Sequence, residues 1–171
     1  MVRRQTGEPH NVIPKAAARR PRGSRIAIAQ TPAEIRRCHA VMRELRPKFT
    51  SAKMFVQRVL RQQGQGYLLA FVEAEGKIRA VAGYRYLESL FSGKFIYIDD
   101  LVTLPRDRSH GFGGQLLDWL MEQARAHGCE QLELDSGVQR FEAHRFYFLK
   151  RMKIASYHFS IEVAGIRKAK V

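Results

Sequence analysis

Apolar residues follow two rhythms along this chain, a helical one first and then a mostly two-residue one. Ile35, Cys38, Val41, Met42 and Leu45 return at helical spacing. Thr31-Pro32-Ala33-Glu34 starts that run: threonine caps, proline suits the first helical position, and glutamate completes a capping box. Pro47 ends it. Ser51 opens a second, shorter helix with Phe55, Val56, Val59 and Leu60 on its apolar face, and Gly64-Gln65-Gly66 closes it. Both stripes read as core contacts.

The rhythm then changes. Tyr67–Ala74 is apolar almost throughout, and Glu75-Gly76 reads as a hairpin turn. In the return strand Ile78, Ala80, Ala82, Tyr84 and Tyr86 alternate with Lys77, Arg79 and Arg85. Ser92-Gly93 turns the chain into a longer strand over residues 94–104. After a basic loop, residues 113–127 predict a helix with Leu116, Leu117, Leu120, Met121 and Ala124 on one side and Gly128 as its stop. A short strand over 131–136, a helix over 140–150 and a final strand over 157–163 complete the pattern. The strand–helix–strand run from 94 to 136 is a βαβ unit, whose strands must lie parallel. The earlier hairpins are antiparallel, so the expected fold is α+β, a mixed sheet flanked by about four helices.

With 171 residues, 45% of them hydrophobic, the chain can bury a core without disulfide or metal staples. No apolar run approaches the eighteen residues of a membrane span. The first residues lack the continuous apolar stretch of a secretory signal. Cys38 and Cys129 have no CxxC partner, so they read as two reduced thiols in a cytoplasmic protein, and no metal site is expected.

Charge adds a division. Thirty Lys and Arg face sixteen Asp and Glu, a net +14. Residues 1–25 carry seven of the cations against Glu8 alone, with Pro9, Pro14 and Pro21 among few large apolar side chains. They read as a flexible basic tail before a single domain over 26–171, although an Arg-rich, acid-poor start would also suit an organellar transit peptide. The body is basic without the tail. Its partner is expected to be anionic: a phosphorylated cofactor, nucleic acid or an acidic surface.

The chemistry concentrates between Tyr97 and Leu117. A strand carrying Asp99 and Asp100 runs into a loop with Arg106 and Arg108, after which Gly111, Gly113 and Gly114 open a helix. Glycines there let backbone approach a ligand, and a helix's first turn offers unused N–H groups and partial positive charge. The combination suits phosphate oxygens. It is neither a Walker loop, which needs GxxxxGK[ST], nor the dinucleotide GxGxxG.

Three motifs in order resemble the GCN5-related N-acetyltransferase (GNAT) superfamily. Arg108-Ser-His-Gly-Phe-Gly113 is similar to its [RQ]-x-x-G-x-[GA] pyrophosphate motif, Asp99-Asp-Leu-Val-Thr-Leu-Pro105 to its pantetheine-binding strand, and Ala143-His-Arg-Phe-Tyr147 to its A-x-x-F-Y helix. The resemblance covers roughly residues 26–163. It implies the GNAT fold, with antiparallel N-terminal strands and a splayed parallel pair into which acetyl-CoA inserts. It further implies that Leu101, Val102 and Thr103 bond pantetheine through their backbone, and that Arg108, Ser109, His110, Gly111, Phe112, Gly113 and Gly114 hold the pyrophosphate. Two positions depart from the family pattern: Arg140 replaces a frequent Asn, and Arg151 replaces the glycine that ends the F-Y helix.

The expected reaction is direct acetyl transfer to a primary amine, since no Cys or Ser lies in a recognisable nucleophile motif. An amine is mostly protonated at pH 7 and attacks only when free, so a carboxylate is needed. Asp99 or Asp100 fills that role, with Asp99 favoured by resemblance. Neighbours on a strand face opposite ways, so one of them should point into the acceptor pocket. Tyr147 falls at the family's general-acid position and would protonate the departing thiolate. His144, three residues earlier, reads mainly as a structural histidine. Glu133 and Asp135 read as solvent-facing.

The alternatives are a basic nucleic-acid-associated protein, a GNAT acting on an RNA-linked or protein amine, and a catalytically silent acyl-CoA sensor. By resemblance the acceptor pocket draws on residues 34–55 and 151–160, and a homodimer would be in keeping with the family.

Overall fold

A computed structural model describes residues 23–163. The expected tail lies, up to residue 22, outside the described residues, as do residues 164–171. The elements run β1 (Ser24–Ile28), α1 (Pro32–Leu45), α2 (Ala52–Gln63), β2 (Leu68–Ala74), β3 (Lys77–Ser89), β4 (Gly93–Thr103), a 3-10 turn (Pro105–Asp107), α3 (Phe112–Ala126), β5 (Gln131–Leu134) and α4 (Phe141–Leu149). The helix starts follow the sequence signals. Thr31 Oγ1 accepts the Glu34 N–H at 3.3 Å and the Glu34 carboxylate accepts the Thr31 N–H at 3.0 Å, a complete capping box. Ser51 caps α2 through the Met54 N–H.

The five strands lie in the order in which they occur. β1 to β4 form an antiparallel meander, and β4 pairs with β5 in parallel. The tight β2–β3 turn uses Glu75 and Gly76, both at positive φ. Helices cover both faces. Leu69, Phe71 and Val81 pack with Ile35, Val41, Phe55 and Val59 from α1 and α2. Ala70, Val72, Ala82 and Ile96 pack with Leu116, Leu117 and Leu120 from α3. Burial on both faces is why β2 is a continuous apolar run.

Two sequence readings change. The strand β1 is an element that the apolar pattern did not single out; it is short, and Arg25 within it pairs with Glu73 of β2. The final strand expected over residues 157–163 does not form, and that stretch is irregular and exposed. Its Tyr157, Phe159, Ile161 and Val163 alternate as in a strand, but they stand 77–90% exposed. Alternation fits a pleat; a ladder also needs a neighbouring edge, and no pairing with β5 is made.

Candidate active site

Parallel pairing of β4 with β5 runs only from Phe95 opposite Gln131 to Ile98 opposite Leu134. Beyond Ile98, β4 continues to Thr103 held by β3 alone. Asp99, Asp100, Leu101, Val102 and Thr103 therefore show one backbone edge to the gap where the strands part. At that point the β3–β4 register shifts: Tyr84 faces Ile98 and Gly83 faces Asp100, leaving Asp99 as an extra residue. A bulge cancels the strict alternation of side chains. As a result Asp99 and Asp100 line the same cleft, where regular geometry would send one of them away.

Both carboxylates are tied down. Arg85 Nε donates to the two Asp99 oxygens at 3.0 and 3.2 Å. Arg46 Nε donates to Asp100 at 2.6 Å, and its Nη2 reaches the Asp99 carbonyl at 2.9 Å. The buried Tyr67 hydroxyl donates to Asp100 at 3.0 Å, while the Arg85 guanidinium lies 5.4 Å from the centre of the Tyr67 ring. Burial pushes the Asp99 carboxyl above its ordinary value, against the pull of Arg85. Burial, and then Asp100, push the Tyr67 phenol up.

The cleft in front of these groups has a volume of about 480 Å³. One wall is β4 and the end of β5, with Tyr97, Asp99, Asp100 and Asp135. The other is α1, α2 and their connection, with Arg46, Lys48, Phe49 and Arg58. From the expected 34–55 stretch, residues between 42 and 55 line this cleft, together with Arg58, Val59 and Gln62 beyond it. From 151–160, His158 meets the wall, 2.8 Å from Asp135. Asp135, read from sequence as merely solvent-facing, also accepts the Tyr97 hydroxyl at 2.6 Å, and Glu133 accepts that of Ser92.

At the other end of the open β4 edge lies the glycine turn. The 3-10 turn is anchored by buried Asp107, which accepts from Arg79 Nη1 at 3.0 Å. Ser109 and Gly111 take positive φ, 62° and 87°, and Gly111 stands at the start of α3 with no side chain capping the helix. No side chain among the described residues caps the first-turn N–H groups, and exposed Arg108, Ser109 and His110 precede them. His110 Nδ1 lies 2.9 Å from the Arg108 carbonyl, which orders the loop. Phe112 sends its side chain into the core, so only its backbone faces the turn. A Cβ on Gly113 would stand 3.0 Å from Thr103 Oγ1, so glycine lets α3 close onto β4 there. Gly114 faces Lys150, which binds Asp118 at 2.6 Å and joins α4 to α3.

On α4, Tyr147 is half-buried beside Phe146. Burial raises its phenol above the ordinary value, with Arg140 opposing. His144 Nε2 donates to the Gly137 carbonyl at 3.0 Å, so the ring is bound up in structure. The helix ends with Arg151 at φ 63°: its N–H bonds the Phe148 carbonyl and that of Met152 bonds Tyr147, a Schellman ending built without glycine.

Tyr67, Arg85, Arg46, Lys48 and Arg58 escaped the sequence reading. Tyr67 and Arg85 look like ordinary strand residues, and nothing local marks an arginine after a helix as the partner of a carboxylate 54 positions away.

A sheet that parts beside a glycine-opened helix is the arrangement that the resemblance implied, and comparison with known proteins bears out the fold. The acetyltransferase (GNAT) family profile matches residues 33–152, and the chain belongs to that family. It is 37% identical over 123 residues, 71% of its length and 86% of the relative's, to a Bacillus subtilis protein called "Uncharacterized N-acetyltransferase YhdJ". Over 63 residues, 37% of this chain and 41% of the other, it is 41% identical to the aminoalkylphosphonate N-acetyltransferase of Salmonella typhimurium. The solved structure of AAC(6')-Iy with a bisubstrate analogue of CoA superposes with a TM-score of 0.68, covering 81% of this chain and 97% of that one at 12% identity, which shows a shared fold. The chain is an N-acetyltransferase of this family.

Proposed function

We propose that the protein transfers acetyl from acetyl-CoA to a primary amine by direct attack, with the amine seated in the cleft beside Asp99 and Asp100. The single observation that carries this reading is the open β4 edge from Asp99 to Thr103, which leads to the uncapped start of α3. Pantetheine lies along Leu101, Val102 and Thr103. The pyrophosphate rests on the turn from Arg108 to Gly114, where helix polarity and backbone N–H groups favour phosphate oxygens.

The amine nitrogen forms a bond to the thioester carbonyl carbon, and the carbon–sulfur bond breaks. The proton lost by the amine passes to Asp99 or Asp100, directly or through water. Asp99 is the favoured base because burial raises its proton affinity. Tyr147 stays protonated at neutral pH and gives its proton to the departing thiolate.

Calorimetric titration with acetyl-CoA tests the core of this reading. Saturable one-to-one binding that is lost in Gly111→Val, which forces a branched side chain to φ 87°, is the expected result. No saturable binding by the wild type would overturn it.

A further inference from the structure

We infer that the acceptor carries an acidic head group as well as its amine, and that Lys48 and Arg58 form the subsite for that head. The inference rests on the acceptor cleft proposed above and names the class of molecule that fills it.

The cleft's carboxylates already have partners. Asp99 is held by Arg85, Asp100 by Arg46 and Tyr67, and Asp135 by Tyr97 and His158. Lys48 and Arg58 differ. Both line the cleft, and neither has a carboxylate partner among the described residues. Each stands 5.8 Å from the centre of the same Phe49 ring, so two positive charges flank one aromatic side chain in the cleft wall. Like charges brought together without an anion repel, and an anion between them relieves that.

The support beneath them is built. The Phe49 N–H bonds the Arg46 carbonyl at 3.1 Å, and His39 Nε2 donates to the Phe49 carbonyl at 2.8 Å. The Phe49 ring packs edge-on against buried Phe55 at 5.9 Å. Ser51 then caps α2, which carries Arg58 one turn beyond Met54. The connection between α1 and α2 is thereby pinned at both ends, and Lys48 and Arg58 are offered from fixed backbone.

The polarity of the cleft sets the orientation of its occupant. Carboxylates lie on the β4–β5 side, where the strands part, and the two unmatched cations lie on the α2 side. An amine drawn to Asp99 and Asp100 leaves the opposite end of the same molecule against Lys48 and Arg58. A phosphate, phosphonate or carboxylate satisfies that end. A diamine meets repulsion there.

Matched probes test this by calorimetry on full-length protein saturated with CoA: phosphoethanolamine, ethanolamine and ethylenediamine. Phosphoethanolamine should bind at least about tenfold more tightly than ethanolamine, the scale of one charge-assisted contact, and ethylenediamine most weakly. In a Lys48→Ala/Arg58→Ala variant that preference should shrink to about twofold, while CoA affinity, which reports an intact fold, stays as in the wild type. Arg58→Lys should restore part of the preference. Equal or tighter binding of the neutral or cationic probe, no binding of phosphoethanolamine, or an unchanged preference in the double variant would overturn the inference. Loss of CoA binding in the wild type would instead sink the acetyltransferase reading, so the two failures are separable.

Discussion

A Cβ on Gly83 would collide with the Tyr67 hydroxyl, so the bond from Tyr67 to Asp100 exists because position 83 lacks a side chain. Gly83 sits opposite Asp100 at the β3–β4 bulge, where β4 leaves β5. One glycine thus connects the sheet's irregularity to the carboxylate's hydrogen bonding.

Gly83→Ala should therefore displace the Tyr67 ring from a site where it is 2% exposed. Overpacking of this kind costs roughly 1–3 kcal/mol. Urea unfolding should show a lower midpoint with an unchanged slope. A wild-type midpoint would mean that the ring moves aside freely.

Arg151 holds a left-handed backbone at φ 63° that glycine adopts without strain. Arg151→Gly should raise stability by about 1 kcal/mol, read as a higher melting temperature, since the exposed side chain closes no contact in the Schellman ending. A fall in melting temperature would show that the arginine contributes more than its backbone costs.

Glu73 is one source of pH-dependent stability. Its hydrogen bond from Arg37 holds the carboxyl below its ordinary 4.5, against desolvation, with Arg25 adding to the pull. A folded value below the unfolded one gives stability that is present above pH 4.5 and lost as pH falls through the folded value. Glu73→Gln should thus cost ~1 kcal/mol at pH 7, because both arginines are partly in water, and the two unfolding curves should converge on acidification. A gap that does not narrow as pH falls below 4.5 would point to packing instead of charge.

If Tyr147 protonates the thiolate, Tyr147→Phe should lower kcat by roughly 10²-fold or more and leave the KM for acetyl-CoA within a small factor. Asp99→Asn and Asp100→Asn separate the two carboxylates: the base shows a kcat loss that high pH partly rescues. Asn keeps one acceptor oxygen for two donors, Arg46 Nε and the Tyr67 hydroxyl, so Asp100→Asn should appear first as lower thermal stability.

Much of the fold was legible because its signals are local. Thr31 and Glu34 write their capping box four residues wide, and Glu75-Gly76 can hardly be anything but a turn. The glycine turn was equally plain, since glycine can reach the positive φ that Gly111 adopts at no steric cost. Residues 157–163 misled for the complementary reason: their alternation is real, but pairing depends on an edge elsewhere.

The sequence by itself determined the elements from α1 to α4 and the glycine turn, because capping, periodicity and backbone freedom act within a few residues, and its ordered motifs carried the resemblance to the family. Tertiary structure alone decided that Asp99 and Asp100 share one cleft, that Arg85 and Arg46 claim them, and that Lys48 and Arg58 flank Phe49 with no carboxylate partner among the described residues. Those relationships come from a strand register and helix packing that bring together residues dozens of positions apart. Electrostatics depends on distance in space, which no spacing along the chain records.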